Sequence, residues 1–275
     1  MADPVMQVTV LVDNAGNDSL LSEWGLSFHI SYKGRSYLLD TGGSSAFLQN
    51  ALHLGIDIAD VDAAVLSHAH YDHAGGMEAF FGANSRAVFH VSASAAANCW
   101  SGSLFSRHYI GIPYGVLEKF ADRIVRHDGL RPIADGVWIV PHASAVPASV
   151  ARASHLWTRR GLRFIPDDFS HEQSLVFELP DGLVVFNSCS HSGADVIVSE
   201  VKSALPGREI LEYWGGLHLF RLGAAEVNDI AARLSAAGIG CIYTGHCTGD
   251  EAFEILKSRL GDRVVRFCTG TSLIK

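Results

Sequence analysis

The stretch of sequence that decides the fold is Ser67-His68-Ala69-His70-Tyr71-Asp72-His73-Ala74-Gly75-Gly76. It follows directly on the apolar run of residues 63–66, whose short length and polar flanks predict a buried strand. If that strand continues through His68 and His70, both side chains point to one side, because strand side chains repeat every two residues. The glycine pair that closes the stretch is expected to give the backbone the freedom to turn. The stretch therefore predicts a buried strand that delivers several polar side chains to a turn.

Three imidazoles and one carboxylate lie within residues 68–73. Nitrogen and oxygen ligands at this spacing suit zinc, iron or manganese. A single His-x-His pair is common on protein surfaces and alone predicts little. Four polar groups at the end of a buried strand, however, are costly unless something binds them. We therefore interpret the whole motif as part of a metal site.

Together with three other segments, this motif resembles the metallo-β-lactamase fold superfamily. Residues 36–43 resemble the strand-Asp-Thr-Gly segment that lies upstream of the superfamily's histidine motif, with the aspartate at Asp40. Residues 184–193 resemble a later strand that ends in a ligand histidine, here His191. Residues 243–249 resemble the segment that carries the last ligand histidine, here His246.

Within the superfamily, the chain is most similar to the subfamily named for a dihydropterin-methyl-ribofuranosylaminobenzene phosphate synthase. The shared motifs are Cys-Ser-His-x-Gly at 189–193, Gly-Gly-x-His-Leu at 215–219 and His-Cys-Thr-Gly at 246–249. The likeness runs from about residue 8 to the C-terminus. It indicates the fold and the metal site, and much less about the substrate.

The resemblance implies an α/β (α+β) fold, the αβ/βα four-layer sandwich, in which two β-sheets pack face to face between outer helices and the metals lie at one edge. No repeat or clear linker divides the sequence, so residues 1–275 are predicted to form a single domain. Residues 92–120 lack a regular pattern, which is typical of a lid or an insertion. We expect the aromatic residues of that segment to border the metal cleft, namely Trp100, Tyr109 and Tyr114.

Alternating strands and helices are predicted along the rest of the chain. The apolar spacing indicates a helix over residues 47–54, with Gly55 at the position of a C-terminal cap. Strands at 175–179 and 183–186 form a predicted hairpin over a Pro-Asp-Gly turn. Further helices are predicted at 194–205 and 224–237.

The resemblance implies six ligands for two divalent metal ions, with zinc expected and iron or manganese as alternatives. The ligands form two sets, one for each ion: His68, His70 and His191, and Asp72, His73 and His246. Two such ions would activate a water molecule between them.

The chain departs from the superfamily pattern at the bridging ligand. Many hydrolases of the superfamily carry an aspartate that bridges both metals, but residues 187–191 contain no carboxylate. Asp195 follows inside a predicted helix, so the bridge is expected to be missing and one metal to be weak or absent. His171 is an alternative to His191 as the third histidine ligand.

Asp72 and His218 are the candidate catalytic residues, and Tyr71 and His218 are the candidate substrate-binding residues. His218 could supply a proton or bind a substrate phosphate, because imidazole titrates near neutral pH. The alternative for His218 is a packed core histidine. Asp40 is expected to orient a ligand histidine through a hydrogen bond. No site role is predicted for His108, which is assigned to the surface or the core.

Composition excludes several classes of protein. The net charge of −8 argues against a nucleic-acid partner, and no apolar run is long enough to cross a bilayer. The N-terminus lacks the features of a secretory signal. Five cysteines without a Cys-x-x-Cys pair favour a reduced, cytoplasmic setting over a disulfide framework.

The sequence therefore predicts a metal-dependent hydrolase or transferase that uses a metal-activated water on a small phosphorylated or cyclic metabolite. Two alternatives stay open, a mononuclear iron redox enzyme of the same fold and a ligand-binding protein on a degenerate metal site. The expected partner is a small-molecule substrate, and assembly into a homo-oligomer stays open.

Overall fold

Three β-sheets and seven α-helices make up the part of the chain that the computed structural model describes, which is residues 6–16, 19–103, 106–144, 146 and 154–275. The strands are β1 (Met6–Val12), β2 (Ser27–Tyr32), β3 (Arg35–Leu39), β4 (Ala63–Val65), β5 (Val88–Ser92), β6 (Cys99–Ser103), β7 (Ser106–Tyr109), β8 (Ile124–His127), β9 (Arg131–Ala134), β10 (Val137–Pro141), β11 (Leu156–Arg160), β12 (Arg163–Pro166), β13 (Gln173–Leu179), β14 (Gly182–Phe186), β15 (Ile210–Trp214), β16 (Ile239–Thr244), β17 (Val264–Arg266) and β18 (Ser272–Ile274). The helices are α1 (Ala46–His53), α2 (Tyr71–Ala74), α3 (Met77–Ala83), α4 (Val116–Lys119), α5 (Ala194–Ala204), α6 (Ala224–Ala236) and α7 (Asp250–Leu260).

Two of the sheets have seven strands each and form the centre of the molecule. The first has the order β18-β1-β2-β3-β4-β5-β8, and the second has the order β17-β16-β15-β14-β13-β10-β9. In each sheet, an antiparallel part is continued by parallel strands, β3-β4-β5 in the first and β14-β15-β16 in the second. Because parallel strands end at the same edge of a sheet, the residues that follow them meet there.

The core is divided into three apolar layers, as the four-layer sandwich requires. Between the sheets, side chains from both inner faces interlock, for example Phe28 of β2 against Phe186 of β14, with ring centroids 5.7 Å apart. Outside the first sheet, α1 and α3 bury apolar side chains, and outside the second sheet α5, α6 and α7 do so. Burial of apolar surface on both sides of each sheet is the main stabilising contribution, and the predicted fold class is confirmed.

Several predicted elements are confirmed with small shifts of their ends. The helix predicted over 47–54 is α1, and Gly55 beyond it has the left-handed φ of 74° expected after a helix end. The hairpin is formed by β13 and β14, which pair antiparallel from Leu179 opposite Gly182. Among the described residues, no helix combines the length and apolar character needed to cross a membrane.

Residues 92–120 are more regular than the sequence suggests. They contain β6, β7 and α4, and the two strands join β11 and β12 in the third, four-stranded sheet. The strands are short and mix polar and apolar residues, so apolar alternation does not mark them in the sequence. That residues 1–275 form a single domain, with this segment as a lid or insertion, stays a prediction.

The unfolding free energy is expected to fall as the pH drops from 6.5 to about 4, partly because of His90. Burial, with the neighbouring His127 and Arg131, lowers the pKa of His90 to about 4, whereas an unfolded histidine has a pKa of about 6.5. Between these values the unfolded chain binds a proton that the native chain does not, so acid favours unfolding. At pH 5, the loss is about 2 kcal/mol, measurable by urea unfolding.

A His90→Gln variant removes this titration, so its unfolding free energy should change less between pH 7 and pH 5 than that of the wild type. The exposed residue His53 is the control, and His53→Gln should keep the wild-type pH dependence. An equal fall for wild type and His90→Gln would contradict the assignment to His90.

Candidate metal centre

The histidine motif lies where β4 ends and α2 begins, on the edge to which the parallel strands point. His68 and His73 are fully buried, and Asp72 is 8% exposed. The glycine pair after the motif serves a different purpose from the one predicted, because Gly75 and Gly76 have ordinary negative φ values of −61° and −86°. A Cβ on either residue would come within 2.4 Å of a backbone oxygen of the 43–44 segment, so the glycines permit close packing rather than a turn.

The structure brings the two predicted ligand sets together. The donor atoms of His68, His70 and His191 lie within 4.8 Å of one another, and so do those of Asp72, His73 and His246. The residues come from three places in the sequence, the end of β4 with α2, the loop after β14 and the turn after β16. Strand ends of both central sheets therefore meet in one centre.

Hydrogen bonds fix the orientation of the ligand rings. Asp40, which follows β3, accepts a hydrogen bond from Nδ1 of His73 at 2.8 Å and another from the Ser67 hydroxyl at 2.6 Å. Because the only hydroxyl hydrogen of Ser67 is donated to Asp40, its oxygen accepts from Nδ1 of His68 at 2.8 Å. Both rings therefore carry their hydrogen on Nδ1 and present the lone pair of Nε2 to the centre. Asp40 thus orients ligand histidines, as predicted.

His246 is oriented in the same way by residues of the N-terminal segment. Its Nδ1 donates to the side-chain oxygen of Asn14 at 2.9 Å, and its backbone N–H donates to the carboxylate of Asp13 at 2.8 Å. Neither residue was singled out in the sequence. Their position directly after β1, at the same edge as the motif, is the signal that could have found them.

The donor atoms at this centre fit a metal. Within the described residues, the Nε2 atoms of His68, His70, His191 and His246 are buried and have no hydrogen-bond partner. A buried polar atom without a partner costs about 1–3 kcal/mol. Four such atoms aimed into one centre, with a carboxylate beside them, are the arrangement that a divalent cation would satisfy.

The protonation of these groups also suits metal binding, which needs neutral imidazoles and an ionised carboxylate. Burial lowers the pKa of His70 to about 3, and it lowers the pKa values of His68 and His191 well below the usual range. Burial raises the pKa of Asp72, but the nearby His73 and His246 outweigh it and hold that pKa below its usual range. For His246, burial is outweighed by Cys247 and Asp72, which raise the pKa to about 9, so a metal would displace a proton there.

Of the two alternatives for the third histidine, His191 lies in one group with both His68 and His70, whereas His171 lies in another group with His70, Cys99 and Asp167. Nδ1 of His171 accepts a hydrogen bond from the backbone N–H of Ala69 at 3.1 Å, and its Nε2 lies 3.4 Å from the carboxylate of Asp167. His171 therefore holds the backbone between the two first histidines. The fully buried Glu172 accepts from the backbone N–H groups of His191 and Ser192, at 2.8 and 2.9 Å, and fixes the loop that carries His191.

A cleft of about 320 Å³ opens onto the centre. Its lining includes Tyr71, which is 42% exposed, and His218. It also includes residues that the sequence analysis did not single out: Trp24, Ser101, Phe220 and Arg221. Among the described lining residues, Arg221 is the one with a permanent positive charge.

The third sheet borders this cleft, but not through the predicted aromatic residues. Ser101 and His108 are cross-strand partners and line the cleft, whereas Trp100 and Tyr109, one position away on each strand, are not part of the lining. Side chains alternate along a strand, so the neighbours of cleft residues point to the other face. There Tyr109 packs on Trp100 and stacks on Tyr114. The expectation that Trp100, Tyr109 and Tyr114 border the cleft was wrong, whereas His108 is exposed, as one of its two assignments stated, and lines the cleft.

His218 lies beside the ligand His191, with ring centroids 4.2 Å apart. Its Nδ1 is buried without a hydrogen-bond partner in the described part of the chain. Asp195 lies in α5, as predicted, and accepts a hydrogen bond from Arg233 at 2.8 Å. It therefore does not replace the missing bridging carboxylate.

Unusual backbone conformations are concentrated at this centre. Seven described non-glycine residues have positive φ, and five of them surround the site: Asp40 (60°), Phe169 (52°), Ser190 (56°), His218 (50°) and His246 (47°). Such a conformation costs about 1–3 kcal/mol per residue and persists where the surrounding structure enforces it. Its concentration here is typical of a functional site.

The sequence pattern of the Metallo-beta-lactamase superfamily matches residues 25–203, more than half of the chain, so the protein belongs to that superfamily. A relative from Methanocaldococcus jannaschii, 7,8-dihydropterin-6-methyl-4-(beta-D-ribofuranosyl)-aminobenzene-5'-phosphate synthase, is 26% identical, over 98% of this chain and 96% of its own. The crystal structure of Tm1679, described as a metal-dependent hydrolase of the beta-lactamase superfamily, has 27% identity, a TM-score of 0.81 and coverage of 98% of both chains. Zn(2+)-bound PqqB from Methylobacterium extorquens shares the fold, with 12% identity, a TM-score of 0.57 and coverage of 97% and 99%.

Proposed function

We propose that the protein is an enzyme with two divalent metal ions, most simply zinc, that acts on a small phosphorylated metabolite with a planar ring. The observation that carries the proposal is the group of four buried imidazole nitrogens that have no hydrogen-bond partner within the described residues, with the Asp72 carboxylate 3.5 Å from the one on His246. His68, His70 and His191 would hold one ion, and Asp72, His73 and His246 the other. Iron or manganese could occupy the same donors.

Ions bound at these donors would lower the pKa of a water molecule and neutralise charge that develops on a reacting oxygen. The chain itself supplies the orientation, because Asp40 and Asn14 keep the ligand lone pairs directed inward. His218 lines the cleft, its buried Nδ1 has no hydrogen-bond partner within the described residues, and it could give a proton to a leaving group.

The cleft favours a flat ring and an anionic group in the same substrate. The side chains of Trp24 and Phe220 are 44% and 38% exposed, and their rings meet edge to face with centroids 5.4 Å apart. The centroid of the Trp24 ring also lies 5.2 Å from that of His246. Exposed aromatic rings in a cleft are suited to stacking on a planar ligand. Arg221 follows Phe220 directly and can bind a phosphate through paired N–H donors. The name of the M. jannaschii relative contains both a pterin ring and a phosphate, which supports this substrate class.

Metal analysis of protein purified without chelators, combined with turnover assays on phosphomonoesters, phosphodiesters and lactones, tests the proposal. About two equivalents of divalent metal with turnover of a phosphorylated substrate are expected. A single iron with oxygen consumption would replace the proposal with a redox function. Tight metabolite binding without turnover would replace it with a ligand-binding function.

An Arg221→Gln variant is expected to raise KM for a phosphorylated substrate, with little change in kcat. A hydrogen bond to a charged group contributes about 1.5–3 kcal/mol, so the increase should be about tenfold to a hundredfold. Steady-state kinetics measure it, and an uncharged lactone that the enzyme accepts should show no change. Arg259→Gln, an exposed position on α7, serves as the control. Equal effects on both substrates would argue against phosphate binding by Arg221.

A further inference from the structure

The thiol of Cys189 lies between the two proposed sets of metal ligands. Its Sγ is 3.2 Å from Nε2 of His73, a member of one set. The same Sγ lies within 4.8 Å of a ring nitrogen of His68, a member of the other set. Cys189 is 2% exposed, and the Nε2 of His68 that faces the centre has no hydrogen-bond partner within the described residues. A soft donor therefore stands between both metal positions, in a chain whose 187–191 loop lacks a bridging carboxylate.

We propose that Cys189 binds both metal ions as a bridging thiolate, in place of the carboxylate that is missing. The inference rests on the proposed two-ion centre. In the structure the Cys189 S–H donates to Nε2 of His73. On metal binding the S–H bond breaks, the proton passes to solvent, and the sulfur and Nε2 lone pairs that shared it become available to the ions. No oxidation or reduction is involved.

The neighbouring Cys247 is placed for another purpose, although its Sγ is 3.5 Å from that of Cys189. Its sulfur accepts a hydrogen bond from the backbone N–H of His218 at 3.3 Å. A Cβ on Gly216 would lie 2.5 Å from the same sulfur. Cys247 therefore packs under the loop that carries His218. This difference makes it a matched control, because it is an equally buried thiol beside the same centre.

Titration of the metal-free protein with Co²⁺ tests the proposal through a thiolate-to-cobalt charge-transfer band in the near ultraviolet. We expect the band to grow while the first equivalent of cobalt binds and to keep growing until about two equivalents are bound. It should be lost in Cys189→Ser and kept in Cys247→Ser. X-ray absorption of the zinc-loaded wild type, which depends on no variant, should show a sulfur neighbour at about 2.3 Å.

Three results would overturn the bridging thiolate. In the first, cobalt binds without the charge-transfer band and zinc binds without a sulfur neighbour. In the second, the band is lost in Cys247→Ser and kept in Cys189→Ser. In the third, the band saturates after one equivalent of cobalt while a second ion still binds. The last result would make the thiolate a ligand of one ion only. Failure of the wild type to bind two ions would instead overturn the proposed function, together with this inference, so the two failures are distinguishable by stoichiometry.

Discussion

Asp72→Ala is expected to remove one of the two metal ions and to lower kcat by about a thousandfold or more. Asp72 is the carboxylate of its set, with one oxygen 3.7 Å from Nε2 of His73 and 3.5 Å from Nε2 of His246. Without it, the second ion loses its carboxylate ligand, while His68, His70 and His191 stay in place. Metal catalysis contributes several kcal/mol of transition-state stabilisation, and each 1.36 kcal/mol corresponds to about tenfold in rate.

Metal analysis after dialysis and steady-state kinetics measure the two effects together. His68→Ala, in the other set, should weaken the first ion instead. Asp195→Ala is the matched carboxylate control, because Asp195 forms a surface pair with Arg233, and such a pair contributes about 0–1 kcal/mol to stability. Two ions retained in Asp72→Ala would show that the assignment of ligands to sets is wrong.

The centre could be predicted from the sequence where its residues are close together along the chain. Residues 68–73 form a compact motif on a strand end, and their role as a cluster follows from strand alternation and the cost of buried polar groups. His191 and His246 were found through motifs shared with a known superfamily. Both histidines follow a strand, and the ends of parallel strands meet at one edge of a sheet.

The rest of the site depends on contacts that the sequence does not encode locally. Asn14 and Glu172 act through hydrogen bonds to residues 232 and 19 positions away, and polar residues of this kind are common in loops. Trp24 and Phe220 come from separate loops and meet only in the folded chain. In the third sheet, the strand register decides which face borders the cleft. Without the register, Trp100 is a more attractive candidate for a cleft residue than the neighbouring Ser101, which is the one that lines the cleft.

His218→Asn is expected to lower kcat by about a hundredfold to ten-thousandfold, the usual contribution of a general acid or base, without loss of metal. The structure gives His218 the position for this role: it lines the cleft, and its ring is 4.2 Å from that of His191. Its Nδ1 is buried and has no hydrogen-bond partner within the described residues, and a donor role requires the bound substrate to reach that atom. Asparagine is the suitable replacement because it tolerates the left-handed backbone at φ 50°.

His155 provides a matched control for this variant, because it has the same left-handed backbone, at φ 56°, but is exposed and outside the cleft lining. His155→Asn should therefore leave kcat and metal content unchanged. Loss of an ion in His218→Asn would show that His218 is a ligand, a role that its position near Cys189 and Cys247 would permit. Unchanged kinetics with unchanged metal would mean that the ring only packs against His191 and Phe220. A fall in kcat at constant metal content and nearly constant KM requires His218 to act on the substrate in the transition state.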